Sequence, residues 1–183
     1  MKPFIFTVNA ISGGGKTTIT RELQKRLKNS KSLCFDDRDY DFDSGIEDIC
    51  KWVEDGADAN YFNLERLADD IEKLKQENPD FIVMDYPFGY RHKQITPYIN
   101  YSIFIDTPLD VAMARRILRD YDNFTAVNIF DDMKQYLERG RNIYLFGLDD
   151  VKEEADFLVD GILTVDEIVE CIVEKLKSII AWT

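Results

Sequence analysis

The stretch FIFTVNAISGGGKTT, residues 4–18, decides the fold of this 183-residue chain. Residues 4–10 are rich in β-forming side chains and stop at three glycines, which predicts a buried strand followed by a turn. Over residues 16–27 apolar or small side chains recur every four positions, so we expect a helix directly after the turn. Residues 10–17 fit the phosphate-loop pattern, with Ala10 where that pattern usually has glycine.

The residue types of this loop have physical reasons to bind a nucleotide. Glycines let the backbone bend so that successive N–H groups point at phosphate oxygens, and the helix dipole adds positive potential there. Lys16 can reach the β and γ phosphates, and the hydroxyl of Thr17 can ligate Mg²⁺. The alternative, a glycine turn beside an accidental Lys-Thr pair, is disfavoured because a strand precedes the loop and a helix follows it. The residues predicted to bind the nucleotide are Ser12, Gly13, Gly14, Gly15, Lys16, Thr17 and Thr18.

The rest of the chain alternates between strand and helix patterns. This alternation predicts one α/β domain over residues 1–183, with a central parallel sheet and right-handed crossovers. Ligands of such sheets bind at the carboxyl ends of the strands, so the residues after each strand are the candidates for function. Further strands are predicted at 31–35, 81–84, 101–105 and 157–159, and helices at 46–53, 64–74, 108–119, 130–137 and 165–180.

The composition disfavours several classes of function. The chain has 35 acidic and 23 basic residues, and a net charge of −12 disfavours nucleic-acid partners, which need a basic surface. No apolar run approaches the roughly 18 residues of a membrane span, and we expect neither a membrane partner nor a signal peptide. Cys34, Cys50 and Cys171 have neither metal-site nor disulfide spacing, which favours the cytoplasm. The sequence leaves a homo-oligomer open.

Acidic residues that follow predicted strands are candidates for catalysis. Asp36 and Asp37 follow the second strand, where a carboxylate can take the proton from an acceptor hydroxyl that attacks the γ-phosphate. Asp36 is the first choice as base because it stands nearest the strand end, and Asp37 is the alternative base or a Mg²⁺ ligand. Asp85 ends the third strand and is expected to hold the water shell of the Mg²⁺ ion that Thr17 ligates. The alternative interpretations are a solvated acidic loop and a turn-capping Asp.

Basic side chains elsewhere are candidates for phosphate contacts. Arg115, Arg116 and Arg119 occur in one predicted helix, and their planar guanidinium groups match phosphate oxygens. We expect these arginines to close over the phosphates, the alternative being ion pairs with an acidic surface. Arg38 and Arg91 follow strands and would hold a polar or anionic acceptor, unless they only form solvated turns.

Several segments together resemble the uridine kinase and phosphoribulokinase group of P-loop kinases. SGGGKTT, residues 12–18, is similar to the phosphate loop of that group, and FDDRDY, residues 35–40, to its strand-end acid segment. IDTPLDVAMARRILRD, residues 105–120, resembles the helix that leads into the group's lid over ATP, and FGLDDVKEEADFLVDG, residues 146–161, resembles its tail. The resemblance runs over most of the chain. It implies a three-layer α/β P-loop NTPase fold with a central parallel sheet and a small helical lid at about 119–142.

The resemblance also implies a function and some of its residues. It implies a kinase that uses ATP and Mg²⁺, in which Asp36 acts as base toward a hydroxyl of a small-molecule acceptor. Arg141 takes the place of a family arginine at the nucleotide, and Tyr40 belongs to the acceptor segment with Asp36 and Arg38.

The sequence also departs from uridine kinases. Residues 121–124 replace the Glu-Arg-Gly-Arg lid segment, and no counterpart of the uridine-closing hairpin is evident. The acceptor, a nucleoside or a sugar-like alcohol, is therefore left open. A nucleoside monophosphate kinase and a non-catalytic nucleotide-binding switch are rival functions, and a third, a kinase or ATPase directed at nucleic acid, is disfavoured by the acidic charge balance.

Overall fold

A computed structural model describes residues 2–36, 40, 46–121 and 126–180 of the chain. Within these residues, parallel strands form one sheet in the order β2-β3-β1-β4-β5. The first strand therefore lies in the middle of the sheet, and the glycine loop that follows it opens at the centre of the carboxyl edge. The strands are β1 (Phe4–Asn9), β2 (Ser30–Cys34), β3 (Phe81–Asp85), β4 (Tyr101–Asp106) and β5 (Phe157–Asp160).

Helices cover both faces of this sheet. The α-helices of the described part are α1 (Lys16–Arg26), α2 (Ile49–Glu54), α3 (Glu65–Gln76), α4 (Leu109–Asp120), α5 (Ala126–Gln135), α6 (Arg141–Phe146) and α7 (Val165–Ile180). Short 3₁₀ turns span Ala59–Tyr61 and Thr96–Tyr98, and π-helical turns at Tyr136–Gly140 and Gly147–Val151 flank α6.

Strand alternation divides the core into a layer on each face. Along β3, Val83 packs with the apolar stripes of α1 and α7, whereas Ile82 and Met84 pack with α3 on the opposite face. Ile19 and Leu23 of α1 are buried, because their four-residue spacing places both on the side that faces the sheet. Each such burial stabilises the fold by about 1.5–3 kcal/mol relative to an exposed side chain. The predicted α/β class with a central parallel sheet is confirmed.

Most predicted elements agree with the structure to within a few residues at each end. The largest differences are at α2, predicted from residue 46, and at α5, predicted over 130–137. Helix α2 begins later because Asp48 caps it: its Oδ1 accepts from the backbone N–H groups of Cys50 at 2.9 Å and Lys51 at 3.1 Å. The predicted lid segment 119–142 includes α5, and its residues 122–125 lie outside the described residues.

In the described part of the chain, every helix is too short or too polar to span a bilayer.

Candidate active site

The glycine loop after β1 has a backbone that side chains would not permit. Gly13 and Gly15 adopt φ values of +80° and +98°, in the left-handed region that favours glycine. A Cβ on Gly13 would stand 2.1 Å from the carbonyl oxygen of Ala112, so α4 leaves no space for a larger residue. At Gly15 the corresponding space is open. The loop is therefore packed against α4 at one glycine and open at another.

Helix α1 begins at this loop with its first N–H groups available to a ligand. Gly15 is the N-cap and has no side chain with which to cap the helix. The N–H of Ile19 donates to the Gly15 carbonyl at 3.0 Å, so the N–H groups of residues 16–18 come before the first helical hydrogen bonds. Such a helix end combines unpaired donors with the positive end of the helix dipole and suits an anion.

Charged and hydroxyl groups from three elements meet beside the loop. The Lys16 Nζ atom lies 2.6 Å from Oδ1 of Asp85 and 3.5 Å from Oδ2 of Asp36. The Thr17 hydroxyl donates to Oδ2 of Asp85 at 2.5 Å. The Asp85 side chain is fully buried, whereas that of Asp36 is 71% exposed. The structure thus brings together the lysine, threonine and two acids that the sequence analysis singled out.

Electrostatics keep Lys16 charged. Burial alone would lower the pKa of Lys16, but the carboxylates of Asp85 and then Asp36 outweigh it and raise the pKa above its ordinary value of 10.5. At neutral pH the lysine therefore carries a full positive charge toward the cavity.

Thr17 and Asp85 suit a hard cation. Both present oxygen atoms, and Mg²⁺ typically takes one or two carboxylates and completes its shell with water and substrate phosphates. No group of three or more His, Cys, Asp or Glu side chains in the described residues could hold a metal ion by itself. The donor set thus fits Mg²⁺ bound together with a nucleotide rather than a metal held by the protein alone.

A cavity with a volume of about 770 Å³ extends from the loop across the carboxyl edge of the sheet. Its two ends differ in chemistry. The phosphate end is lined by backbone of the loop and by basic side chains. The aromatic end is lined by rings and aliphatic groups. Members of the phosphate end are Ser12, Gly13, Gly15, Lys16, Thr17, Thr18, Arg21, Arg115 and Arg119. Members of the aromatic end are Phe35, Ile49, Trp52, Phe62, Pro87, Phe88, Ile143 and Phe146. Asp36 also lines the cavity and is next to Phe35 in sequence.

Two of the predicted arginines, both on α4, line the phosphate end. The Nη1 atom of Arg115 donates to the carbonyl of Gly161 at 3.1 Å, which directs the side chain along the turn after β5. Arg119 donates to both carboxylate oxygens of Asp120, at 2.6 and 3.1 Å. These hydrogen bonds raise the pKa of Arg119 above its usual value, so its charge is permanent. In a chain of net charge −12, this end of the cavity is locally positive.

The third arginine of the trio, Arg116, lies outside the cavity lining. Its Nη2 atom donates to Asp132 at 2.8 Å, and its Nη1 atom donates to the Tyr144 hydroxyl at 3.2 Å. These bonds join α4 to α5 and α6. Arg116 thus connects the small helices of the predicted lid, and direct contact with phosphate stays a prediction.

Other predicted site residues are also placed away from the cavity lining. Tyr40 is buried and donates its hydroxyl to Asp70 at 2.8 Å. Arg141 is exposed at the start of α6. Arg91 forms ion pairs with Asp150 at 3.2 Å and Glu154 at 3.0 Å.

Asp37 and Arg38 lie outside the described residues. Their predicted roles at the metal and the acceptor stay predictions.

The aromatic end is a set of rings in mutual contact, most of them packed edge to face, which the sequence analysis did not predict. Trp52 lies 5.4 Å from Phe62 and 5.3 Å from Phe146 between ring centroids, both at steep angles. Phe88 lies 5.6 Å from Phe35 and 4.7 Å from Phe62. Such packing fixes each ring through its neighbours. The result is an apolar surface of packed rings that adjoins Asp36.

His92 supports this aromatic surface from behind. It is buried, and its Nε2 lies 3.0 Å from the carbonyl oxygen of Phe62, while the N–H of Gln94 donates to its Nδ1 at 3.3 Å. The ring therefore links the loop after β3 to the segment that supplies Phe62. Nothing in the local sequence marks this contact, since the two partners are 30 residues apart.

Comparisons with known proteins find kinases that are similar to this chain. No protein-family model matches the chain. A uridine kinase from Leuconostoc citreum (strain KM20) is 25% identical over 187 residues, which cover 87% of this chain and 88% of the relative. A uridine-cytidine kinase B from Dictyostelium discoideum is 24% identical over 209 residues, which cover 96% and 84%. These relatives confirm the predicted resemblance to the uridine kinase group and the prediction of a small-molecule kinase.

A solved structure supports the fold. The structure of a deoxyadenosine kinase from M. mycoides matches with a TM-score of 0.50 and 16% identity, and covers 95% of this chain and 99% of the other. Together with the five-stranded parallel sheet, this match confirms the predicted α/β P-loop NTPase fold.

Proposed function

We propose that the chain transfers the γ-phosphoryl group of ATP, with Mg²⁺, to a hydroxyl group of a nucleoside. One observation carries the proposal: Oδ2 of Asp36 lies 3.5 Å from Nζ of Lys16. A base for the acceptor and a cation for the phosphate thus adjoin at the junction of the two cavity ends.

The residues of the phosphate end would bind and neutralise the triphosphate. The N–H groups at the start of α1 would donate to phosphate oxygens. Lys16 would stabilise the negative charge on the γ-phosphoryl group as it is transferred. Arg115 and Arg119 add positive charge from α4. Thr17 and Asp85 would hold Mg²⁺, which supplies further neutralisation of the β and γ phosphates when bound.

Asp36 would act on the acceptor. As the hydroxyl oxygen forms its bond to the γ-phosphorus, Asp36 accepts the hydroxyl proton. The bond between the γ-phosphorus and the β,γ-bridging oxygen breaks, and its electrons remain on the ADP that leaves. Because the Asp36 side chain is largely exposed, a bound acceptor must displace water from it before transfer.

The aromatic end favours a nucleoside over a small polar alcohol. Aromatic side chains stack on the flat face of any base, at about 1–3 kcal/mol for each base. The relatives named uridine kinase and uridine-cytidine kinase, and the neighbour named deoxyadenosine kinase, have nucleoside substrates in their names. An acceptor phosphate would need a cation at this end, and among the described residues the predicted candidate, Arg91, lies outside the cavity lining and pairs with two acids.

The test is a screen for ADP release that depends on the acceptor. Ribonucleosides, deoxyribonucleosides, their monophosphates and simple sugars are offered with ATP and Mg²⁺. We expect turnover with at least one nucleoside and none with its monophosphate. Turnover with monophosphates alone would identify a nucleoside monophosphate kinase instead. Tight ATP binding without transfer to any acceptor would favour a nucleotide-binding switch. The cytoplasmic location, the exclusion of nucleic acid as partner and the oligomeric state stay predictions.

A further inference from the structure

A buried threonine at the end of β4 contacts the back of the phosphate loop. The side chain of Thr107 is inaccessible to solvent, and its hydroxyl donates to the carbonyl oxygen of Gly14 at 3.0 Å. The two residues are 93 positions apart in the chain. The N–H of Gly14 donates to the carbonyl of Ile11 at 2.8 Å, so the residue is tied at both of its backbone polar groups.

The direction of this hydrogen bond determines which way the loop presents its donors. A trans peptide is planar, with its C=O and N–H pointing in opposite directions. The carbonyl of Gly14 points toward buried Thr107, so the N–H of Gly15 in the same peptide points the other way. Gly14 is buried, whereas Gly15 lines the cavity, which agrees with this orientation.

The surroundings of Thr107 leave the hydroxyl little freedom. A Cβ on Gly161 would stand 1.9 Å from its Oγ1 atom, so the turn after β5 passes directly over the hydroxyl. The N–H of Gly161 donates to the carbonyl of Asp106 at 3.0 Å and fixes that turn to the end of β4. The threonine thus contacts the loop on one side and the glycine turn on the other.

We propose that Thr107 is a positioning residue for phosphoryl transfer, because its hydroxyl orients the Gly14–Gly15 peptide so that the Gly15 N–H faces the phosphates. This inference rests on the proposed function for the identity of the ligand. Its direct consequence is a contribution to triphosphate affinity that is independent of any acceptor. The residue touches no substrate and acts through the loop alone.

The experiment measures binding of Mg-ATP and of inorganic tripolyphosphate by calorimetry. Thr107→Val keeps the shape of the side chain but leaves the buried Gly14 carbonyl without its donor. We expect both affinities to fall by about tenfold, and by the same factor, because the lost interaction concerns phosphates and not the base. Thr107→Ser restores the donor and should bind within about threefold of the unchanged protein.

The control separates positioning from general loss of stability. Thr7 in β1 is equally buried, and its hydroxyl oxygen accepts from Nδ2 of Asn9 at 3.0 Å. Thr7→Val should lower the free energy of unfolding in urea and leave tripolyphosphate affinity within about twofold. If Thr107→Val does not fold, the pair Thr107→Ala and Thr107→Ser, which differ by one hydroxyl, replaces it.

The outcomes are distinct from those of the nucleoside screen. Unchanged affinity in Thr107→Val, or equal losses in the valine and serine variants, would overturn the positioning role. Failure of every acceptor with normal ATP binding would overturn the proposed kinase activity and leave this inference standing. If the unchanged chain binds neither ATP nor tripolyphosphate, the phosphate site is wrong, and both proposals are overturned.

Discussion

The phosphate end and the aromatic end of the cavity are built from different parts of the polypeptide. At the phosphate end the backbone of one contiguous segment supplies the donors, and glycines at 13 and 15 permit its conformation. At the aromatic end the contacts come from side chains of separate segments, including Phe35 directly after β2, and helices α2 and α6. Asp36 stands between the two.

This difference has a physical consequence for specificity. Every residue except proline has the same backbone N–H group, so triphosphate binding at the phosphate end depends on few side chains. Side chains differ from one chain to another, and a ring replaced at the aromatic end changes the shape offered to the acceptor. We therefore expect substitutions at the phosphate end to abolish turnover, and those at the aromatic end to change which acceptor binds.

The largest effect is expected from Lys16→Ala. The substitution removes the cation nearest the transferring group and leaves Asp85 buried without its ion pair, so turnover should fall by at least about 10³-fold. The measurement is the initial rate of ADP formation at saturating ATP and acceptor. The control is Lys25→Ala, which removes an exposed lysine of the same helix from its pair with Glu22. Full activity in Lys16→Ala would contradict the assigned phosphate site.

A second large effect is expected from Asp36→Asn, which tests the junction between the ends. Loss of the base should lower kcat by about 10²-fold or more, while ATP affinity stays nearly unchanged. Stopped assays for kcat and calorimetry for ATP binding measure the two quantities separately. Asp55→Asn is the matched control, because Asp55 is an exposed acid that pairs with Lys51 at 2.6 Å and does not line the cavity. Loss of ATP affinity alone would assign Asp36 to the metal site instead.

The phosphate end could be predicted from the sequence better than the aromatic end. The loop, Lys16, Thr17 and Asp85 were predictable because a short motif encodes the loop and the rule on strand ends locates the acid. The adjacency of Asp36 to Lys16 was predictable for the same reason, since both follow strands of one parallel sheet.

The aromatic end could not be predicted in the same way. Trp52 and Phe146 meet only in the folded chain, and each reads in isolation as an ordinary core residue. Arg116 was likewise beyond prediction: it belongs to a basic cluster in the sequence, and its hydrogen bonds to Asp132 and Tyr144, which connect helices, have no signal there. Spacing along a helix does not show which guanidinium group meets an acid on a neighbouring helix.

A smaller effect is expected at the aromatic end from Phe146→Leu. Leucine keeps apolar area but loses the flat face, so the acceptor KM should rise by about fivefold to tenfold while the ATP KM stays constant. Steady-state kinetics with each substrate varied in turn separates these constants. Phe130→Leu, on α5 and 62% exposed, makes the same chemical change outside the cavity lining and should alter neither. A rise in the ATP KM instead would place α6 over the nucleotide.

The smallest effect, on stability at alkaline pH, tests whether charge distinguishes the two ends. The pKa of Lys16 is raised above 10.5 in the folded protein, so the ion pair stabilises the fold fully below pH 10.5. That contribution is lost as pH rises through the raised value, because the folded lysine then releases the proton that favoured folding. The difference in unfolding free energy between the unchanged protein and Lys16→Met should therefore shrink from pH 9 to pH 12. Urea titrations at each pH measure it. For Phe146→Leu, which removes no charge, the corresponding difference should stay constant, and a parallel decline there would show that the pH effect is not specific to the phosphate end.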